Sequence, residues 1–194
     1  MKKKVGLYFG SFNPFHIGHL IIANYLAEFT DLDEVWIVVS PHSPFKKKAS
    51  MLENHHRLEL VYRAVEGFEK LKVSNVEFDL PTPNYTAKTL SVLCEKNPEY
   101  QFNLIMGEDN LKSFHKWKNY EYILNNHQLY ICPRITKSKI NEAFVNHPHI
   151  HFTETPIMDI SASLIRNSIK KGKNIQSMLP TPVWKYIDEM NFYR

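Results

Sequence analysis

His16 and His19 stand three residues apart in the stretch Gly10-Ser11-Phe12-Asn13-Pro14-Phe15-His16-Ile17-Gly18-His19. Imidazole nitrogens can ligate a metal, donate to an anion or simply pack, so the pair has three readings. A zinc site would need further ligands, and His-x-x-His alone supplies only two. Two core histidines are the plainest reading, yet Gly10, Asn13, Pro14 and Gly18 spell a turn more elaborate than packing requires. The third reading is phosphate binding. An apolar run, Val5 to Phe9, reads as a buried strand before the turn, and Leu20 to Ala27 reads as an apolar-faced helix after it. In an open parallel sheet such a junction lies at the carboxyl end of a strand, where ligands bind. A helix start there points backbone N–H groups at an anion, and imidazolium N–H groups would hold its oxygens as charge moves onto a leaving group. The context of the turn favours this reading.

The elements that must position such a turn alternate along the chain. Glu34–Val39 is a β-branched run bounded by Asp33 and Ser40-Pro41, a second buried strand. The two prolines of Pro41-His42-Ser43-Pro44-Phe45-Lys46 make it a loop. Leu58, Val61, Val65 and Phe68 recur at helical spacing in a helix expected from about Leu52 to Phe68. A third strand is expected over Lys72–Phe78. After a proline-rich loop, Thr86 or its neighbour could cap a helix carrying Ala87, Leu90, Leu93 and Cys94. Tyr100–Met106 reads as a fourth strand stopped by Gly107, with Glu108 and Asp109 opening a helix whose N-terminus suits acidic residues. Gln128–Cys132 is a fifth strand, then a helix around Lys139 to Val145 and a short strand around Ile150 to Phe152. Ser161–Lys171 is helical, and Val183, Ile187 and Met190 give the last helix one apolar face. His147, His149 and His151 alternate as one face of a strand would, a polar surface more readily than a metal site. The pattern predicts one α/β domain over 1–194, a Rossmann-like, doubly wound, mainly parallel sheet with helices on both faces.

Composition narrows the function. With 194 residues, 43% hydrophobic and 23% charged, the chain can bury a core without staples. Two distant cysteines, Cys94 and Cys132, fit neither a disulfide nor a metal spacing and suit a reducing, cytoplasmic setting. No apolar segment approaches the length of a membrane span. A net charge of +4, with local clusters at 46–48 and 170–173, makes no sustained basic stripe, so nucleic acid is not expected as a partner. Neither G-x-x-x-x-G-K-[ST] nor G-x-G-x-x-G occurs, which removes P-loop kinases and NAD-dependent dehydrogenases from the leading candidates.

The stretch from Gly10 to His19 matches the G-x-F-[ND]-P-x-H-x-G-H signature of the nucleotidylyltransferase superfamily. About 140 residues later, Ile160-Ser161-Ala162-Ser163-Leu164-Ile165-Arg166 resembles its second signature, I-S-[SA]-[ST]-x-[IV]-R. Between them, Gly107-Glu108-Asp109-Asn110-Leu111 with Phe114 and Trp117 is similar to the G-x-D-x-L…F-x-x-W segment of bacterial nicotinate-nucleotide adenylyltransferases. Pro83-Asn84-Tyr85-Thr86-Ala87-Lys88-Thr89-Leu90 resembles their P-[ST]-Y-T-x-x-T-L, and Pro44-Phe45-Lys46 sits where they carry Pro-His-Lys. Phe45 and Asn84 depart from that pattern; a lost contact at 45 could be supplied by His42.

The resemblance implies transfer of the adenylyl group of ATP to nicotinate mononucleotide, releasing pyrophosphate, as a step of NAD biosynthesis. It places His16, His19, Arg166 and Lys46 in catalysis. It places Gly10, Ser11, Phe12, Gly107, Asp109, Ile160 and Ser161 around ATP with His16, His19 and Arg166, so that the helical part from ~160 to 194 completes the ATP site. Asn13, Lys46, Tyr85, Thr86 and Trp117 fall to nicotinate mononucleotide, with Trp117 stacking on the pyridine and the Tyr85-Thr86 backbone binding its carboxylate. Mg²⁺ is expected to arrive with ATP, with no metal site of the protein's own, and the assembly to be a monomer or homodimer. The alternatives are a related transferase using nicotinamide mononucleotide, phosphopantetheine or a cytidylyl donor, and a catalytically silent nucleotide-binding regulator.

Overall fold

The computed structural model describes residues 2–41, 51–135 and 140–194. Six strands form one sheet: β1 (Lys3–Gly10), β2 (Glu34–Val39), β3 (Leu71–Ser74), β4 (Tyr100–Gly107), β5 (Leu129–Cys132) and β6 (Ile150–Phe152). Their order is β3-β2-β1-β4-β5-β6, and every neighbouring pair is parallel. Helices α1 (Ile17–Phe29), α2 (Asn54–Val65), α7 (Ala162–Lys170) and α8 (Thr181–Glu189) cover one face. Helices α3 (Thr86–Lys96), α4 (Glu108–Ser113), α5 (Tyr120–Asn126) and α6 (Glu142–Val145) cover the other.

Pleating explains why the central strands are apolar throughout. Val5 and Leu7 of β1, with Phe102, Leu104 and Met106 of β4, pack under α3, α4 and α5. Tyr8 and Ile105, one step along, pack under α1, α2, α7 and α8. With both faces covered, a strand has no polar side to show. The chain order reverses between β1 and β4. Their pairing is registered as far as Tyr8 opposite Ile105, and each strand then runs on to a glycine, Gly10 and Gly107. The crevice between those carboxyl ends is where an open α/β sheet binds its ligand.

Several expected elements differ in extent. The third strand stops at Ser74, and Val76–Asp79 winds into a 3₁₀ turn that buries Glu77. There the Glu77 carboxylate accepts from Thr89 Oγ1 at 2.8 Å. Helix α2 ends at Val65, leaving Phe68 outside it, and its buried face is Arg57, Leu60, Val61, Ala64 and Val65. The expected stripe holds at Val61 and Val65, with Leu58 half-buried against the same core, but Phe68 falls outside the helix and a buried arginine, Arg57, joins the face. Met190 follows α8 and is exposed, so the apolar face of that helix is Val183 and Ile187. Only His151 of the alternating histidines lies in β6. His149 Nδ1 meets the Leu124 carbonyl at 2.7 Å, and His151 Nε2 meets Gln128 Oε1 at 2.7 Å, so the three do not share a strand face.

Candidate active site

Gly10 ends β1, His16 is the N-cap of α1, and of the five residues between them Ser11, Phe12 and Asn13 line the crevice. A side chain at Gly10 would collide with the Phe12 ring, 2.7 Å from where its Cβ would stand. Phe12 takes a left-handed φ of 45° and is buried, its ring 5.1 Å from that of His19. Such a backbone conformation in a bulky residue persists only where the surroundings over-determine it, and here they do. The Ser11 carbonyl accepts from Arg57 Nη1 at 2.6 Å, and the Asn13 carbonyl accepts from Arg166 Nη1 at 2.6 Å. Arg57 is fully buried, and its guanidinium also donates to the carbonyls of Ser40 at 2.7 Å and Leu52 at 3.1 Å and to Asn54 Oδ1 at 2.6 Å. One cation thus ties the turn to the end of β2 and to the start of α2.

The two imidazoles stack, centroids 3.6 Å apart and planes 22° apart. The backbone N–H of His16 donates to His19 Nδ1 at 3.2 Å, which leaves the proton of a neutral His19 on Nε2. Burial, aided by the Arg134 charge, pushes His16 down to about 4. Burial, then His16 and Arg134, holds His19 well below the ordinary histidine value. At neutral pH and without ligand both rings are uncharged. In the unliganded protein the pair therefore offers neutral N–H donors, with fixed positive charge coming from arginines, and imidazolium belongs to the phosphate-bound state, where a bound anion raises both rings.

The remaining walls come from the start of α7 and from the ends of β4 and β5. Ser161 caps α7, its Oγ accepting from the Leu164 N–H at 3.1 Å, and a lobe of about 230 Å³ opens between Ile160, Ser161 and Ala162 and the two histidines. A second lobe of about 240 Å³ lies between the turn, Gly107, Asn110 and Trp117. His19, Ala162 and Arg134 line both. Arg134 follows β5. Its Nε stands 3.7 Å from Asp109 Oδ1, and a Cβ on Gly107 would displace the Asp109 carboxylate and crowd Arg134 Nε, 3.0 Å away.

Comparisons with known proteins place the chain in a family. The cytidylyltransferase-like family model matches residues 7–168. A Christiangramia forsetii protein named "Probable nicotinate-nucleotide adenylyltransferase" is 61% identical over the whole of both chains. One of the same name from Cytophaga hutchinsonii is 45% identical over 98% of each. The chain belongs to the nicotinate-nucleotide adenylyltransferase family. The fold is shared more widely: a Plasmodium falciparum nicotinic acid mononucleotide adenylyltransferase complexed with NaAD superposes with a TM-score of 0.78 at 21% identity, covering 98% of this chain and 97% of that one.

Of the residues the family resemblance singled out, the structure gathers Gly10, Ser11, Phe12, Asn13, His16, His19, Gly107, Trp117, Ile160 and Ser161 around the two lobes. Arg166 joins them through its bond to Asn13, and Asp109 through Arg134. Tyr85 stands apart, in a separate groove of about 370 Å³ with Lys88, Lys118 and Tyr122, and Thr86 begins α3 beside it. Lys46, with His42 and Phe45, lies outside the described residues. Asn84 is structural, its Nδ2 donating to the Glu77 carbonyl at 2.8 Å. Sequence reasoning missed Arg134 and Arg57. The signal for Arg134 was its place just past the carboxyl end of the fifth strand, whereas Arg57 sits in a helical repeat whose apolar neighbours gave no hint of a buried cation.

Proposed function

We infer that this chain transfers the adenylyl group of ATP to nicotinate mononucleotide, forming nicotinate adenine dinucleotide and pyrophosphate in NAD biosynthesis. The observation that carries the reading is the 2.6 Å bond from Arg166 Nη1 to the Asn13 carbonyl, which joins the two halves of the family signature across 153 residues in a relative-matched fold. A phosphate oxygen of the mononucleotide attacks the α-phosphorus of ATP in line. The α–β bridging P–O bond breaks and its electrons leave with pyrophosphate. Such chemistry needs positioning and charge stabilisation more than a covalent nucleophile.

In this reading the N–H groups of His16 and His19, with the α1 and α7 backbone starts, hold the ATP phosphates. Arg134 supplies the positive charge in the cleft. Arg166, with one edge spent on Asn13 and Ser163, reaches the outer phosphates with the rest of its fork. Gly107 and Asp109 face the ribose and Trp117 the pyridine, while Tyr85 and Thr86 offer the N-terminus of α3 to the carboxylate. The Asn13 side-chain oxygen is taken up within the protein, which makes its part in mononucleotide binding indirect. Mg²⁺ bound with ATP would be held by its phosphates and water and would neutralise part of their charge. The cleft's donors suit that anionic complex: His19 keeps its N–H on Nε2 because Nδ1 accepts a backbone N–H, and Arg134 adds a guanidinium beside Asp109. No helix among the described residues is long and apolar enough to cross a membrane, and the two free cysteines support the cytoplasm as the place of action.

The test is direct. Purified protein with Mg²⁺ and ATP is offered nicotinate or nicotinamide mononucleotide, and pyrophosphate and dinucleotide are measured. Dinucleotide from the acid is expected. None from either acceptor overturns the reading, and a preference for the amide above about tenfold, roughly 1.4 kcal/mol of discrimination, reverses the choice of acceptor.

A further inference from the structure

Asn13 is held from more directions than its place in a phosphate turn requires. Its Oδ1 accepts from the Leu52 N–H at 3.1 Å and from the Tyr193 hydroxyl at 2.7 Å. A backbone N–H can only donate, so the oxygen of the amide faces Leu52, and the hydroxyl reaching the same atom must be a donor too. Two donors fill the two lone pairs of that oxygen, and Arg166 holds the carbonyl of the same residue. Tyr193 reaches the turn from 180 residues away, just after α8. The segment turns back through left-handed residues Asn191 and Tyr193, with φ of 54° and 66°, and packs the Phe192 and Tyr193 rings against the core over α1, α2 and α8. Burial raises the Tyr193 hydroxyl above its ordinary value, so it remains a donor throughout the working range of pH. Nothing in the family signatures contains this residue.

We propose that Tyr193 is a positioning residue for adenylyl transfer, its hydroxyl locking the Asn13 amide and thereby holding the Phe12–His16 turn in the shape that presents both histidines to phosphate. The proposal rests on the reading of the cleft as the ATP site. Tyr193 touches no substrate and acts only through Asn13.

Tyr193→Phe removes the hydroxyl and keeps the ring in the core. Tyr186→Phe is the matched control: it lies in the same aromatic cluster, but its hydroxyl meets His56 Nδ1 at 2.9 Å, away from the turn. With wild-type acceptor turnover as reference, Tyr193→Phe is expected to lower kcat about tenfold, the loss of one hydrogen bond acting in the transition state, while KM for nicotinate mononucleotide stays within about twofold. Tyr186→Phe should shift Tm by as much and leave kcat unchanged. In an Asn13→Ala background, Tyr193→Phe should cost nothing further, because the path runs through Asn13. Wild-type kcat in Tyr193→Phe, or additive losses in the double variant, overturns the proposal. If wild-type protein makes no dinucleotide, the functional reading itself has failed. The affinity of Tyr193→Phe for Mg²⁺-ATP alone then decides: weakening supports the lock, and unchanged affinity overturns it.

Discussion

The phosphate half and the acceptor half of the cleft are built in opposite ways. Around the histidine turn the backbone and the Asn13 amide are held from elsewhere in the chain, Ser11 by Arg57 and Asn13 by Arg166, Leu52 and Tyr193, while His19 Nδ1 accepts from the neighbouring His16 N–H and His16 Nδ1 is left buried without a hydrogen bond. Around the acceptor end, Trp117 is half-buried against Phe114, and Tyr85 is 40% exposed with Lys118 Nζ 4.4 Å over its ring. Charge develops on a triphosphate at one breaking bond, and its transfer gains from donors that need no reorganisation when that bond breaks. The acceptor ring is recognised by faces and edges, which tolerate a looser frame. The contrast predicts that damage to the first half lowers turnover or folding, and damage to the second mainly weakens binding.

The largest effect should come from His16→Ala. Loss of a phosphate donor at the reacting centre is expected to lower kcat by about 10²- to 10³-fold. The far-UV spectrum should remain folded, since α1 is anchored by buried Leu20, Ile22, Ala23 and Leu26. Wild-type turnover in this variant would remove His16 from the mechanism and erase the difference between the two halves.

Arg57→Leu should strike the same half through stability. It abandons the carbonyls of Ser11, Ser40 and Leu52 inside a closed core, at an expected cost of about 3 kcal/mol or more. Urea unfolding should show a lower midpoint at an unchanged slope. A loss under about 1 kcal/mol would mean that water satisfies those carbonyls and that the guanidinium is not what sets the turn.

Acid separates the halves next. His16 has an ordinary value of 6.5 in the unfolded chain and about 4 in the folded one, so the unfolded state binds the proton more readily between them. Stability from keeping the ring neutral is fully present above pH 6.5 and is lost as pH falls toward 4, up to about 3 kcal/mol. His19 moves the same way, as does His127 under α5, whose value burial also lowers. His16→Ala should therefore flatten part of this acid limb in a pH series of denaturant melts, and bound ATP, by raising both rings, should reduce it further. An unchanged limb in both experiments would contradict the burial of the pair.

How far these features could be read beforehand depended on how local their causes are. The central strands announced themselves because both faces of the sheet are covered there, and β2 fell where its apolar run predicted, whereas the third strand proved shorter than expected and β6, placed as expected, is mostly exposed. The histidine turn, Ser161 and Arg166 were legible because short motifs carry them. The clamps were not. Arg57 satisfies carbonyls at 11, 40 and 52, and nothing in the spacing of α2 distinguishes it from a solvated arginine on the polar face. The neutrality of the histidines likewise arises from Phe12, Phe15, Tyr8 and Arg134 converging on them, a property of the packed interior and not of the motif.

On the acceptor side, Trp117→Ala should raise KM for the mononucleotide about tenfold, the value of one stacked aromatic face, while kcat and KM for ATP move less than about twofold. A fall in kcat with an unchanged KM would place Trp117 with the phosphate machinery instead.

The smallest effect belongs to Asn84, where this chain departs from the family's Ser or Thr. If the side chain served the acceptor directly, Asn84→Ala would raise the mononucleotide KM. In the structure it serves the loop, donating to the Glu77 carbonyl at 2.8 Å while Thr89 holds the Glu77 carboxylate from α3. Because the Asn84 Oδ1 is buried without a partner and leaves with the amide, the expected outcome is a stability loss of under about 1 kcal/mol, with KM and kcat within about twofold of wild type. The Asn84→Thr variant sharpens the point. A threonine hydroxyl stands closer to the backbone than an asparagine amide and cannot span to the Glu77 carbonyl in the same geometry, so it should lose the same stability and gain no affinity. If it binds the mononucleotide more tightly than wild type, the loop's hydroxyl acts on substrate. The acceptor half would then be more closely built than its exposed aromatics suggest.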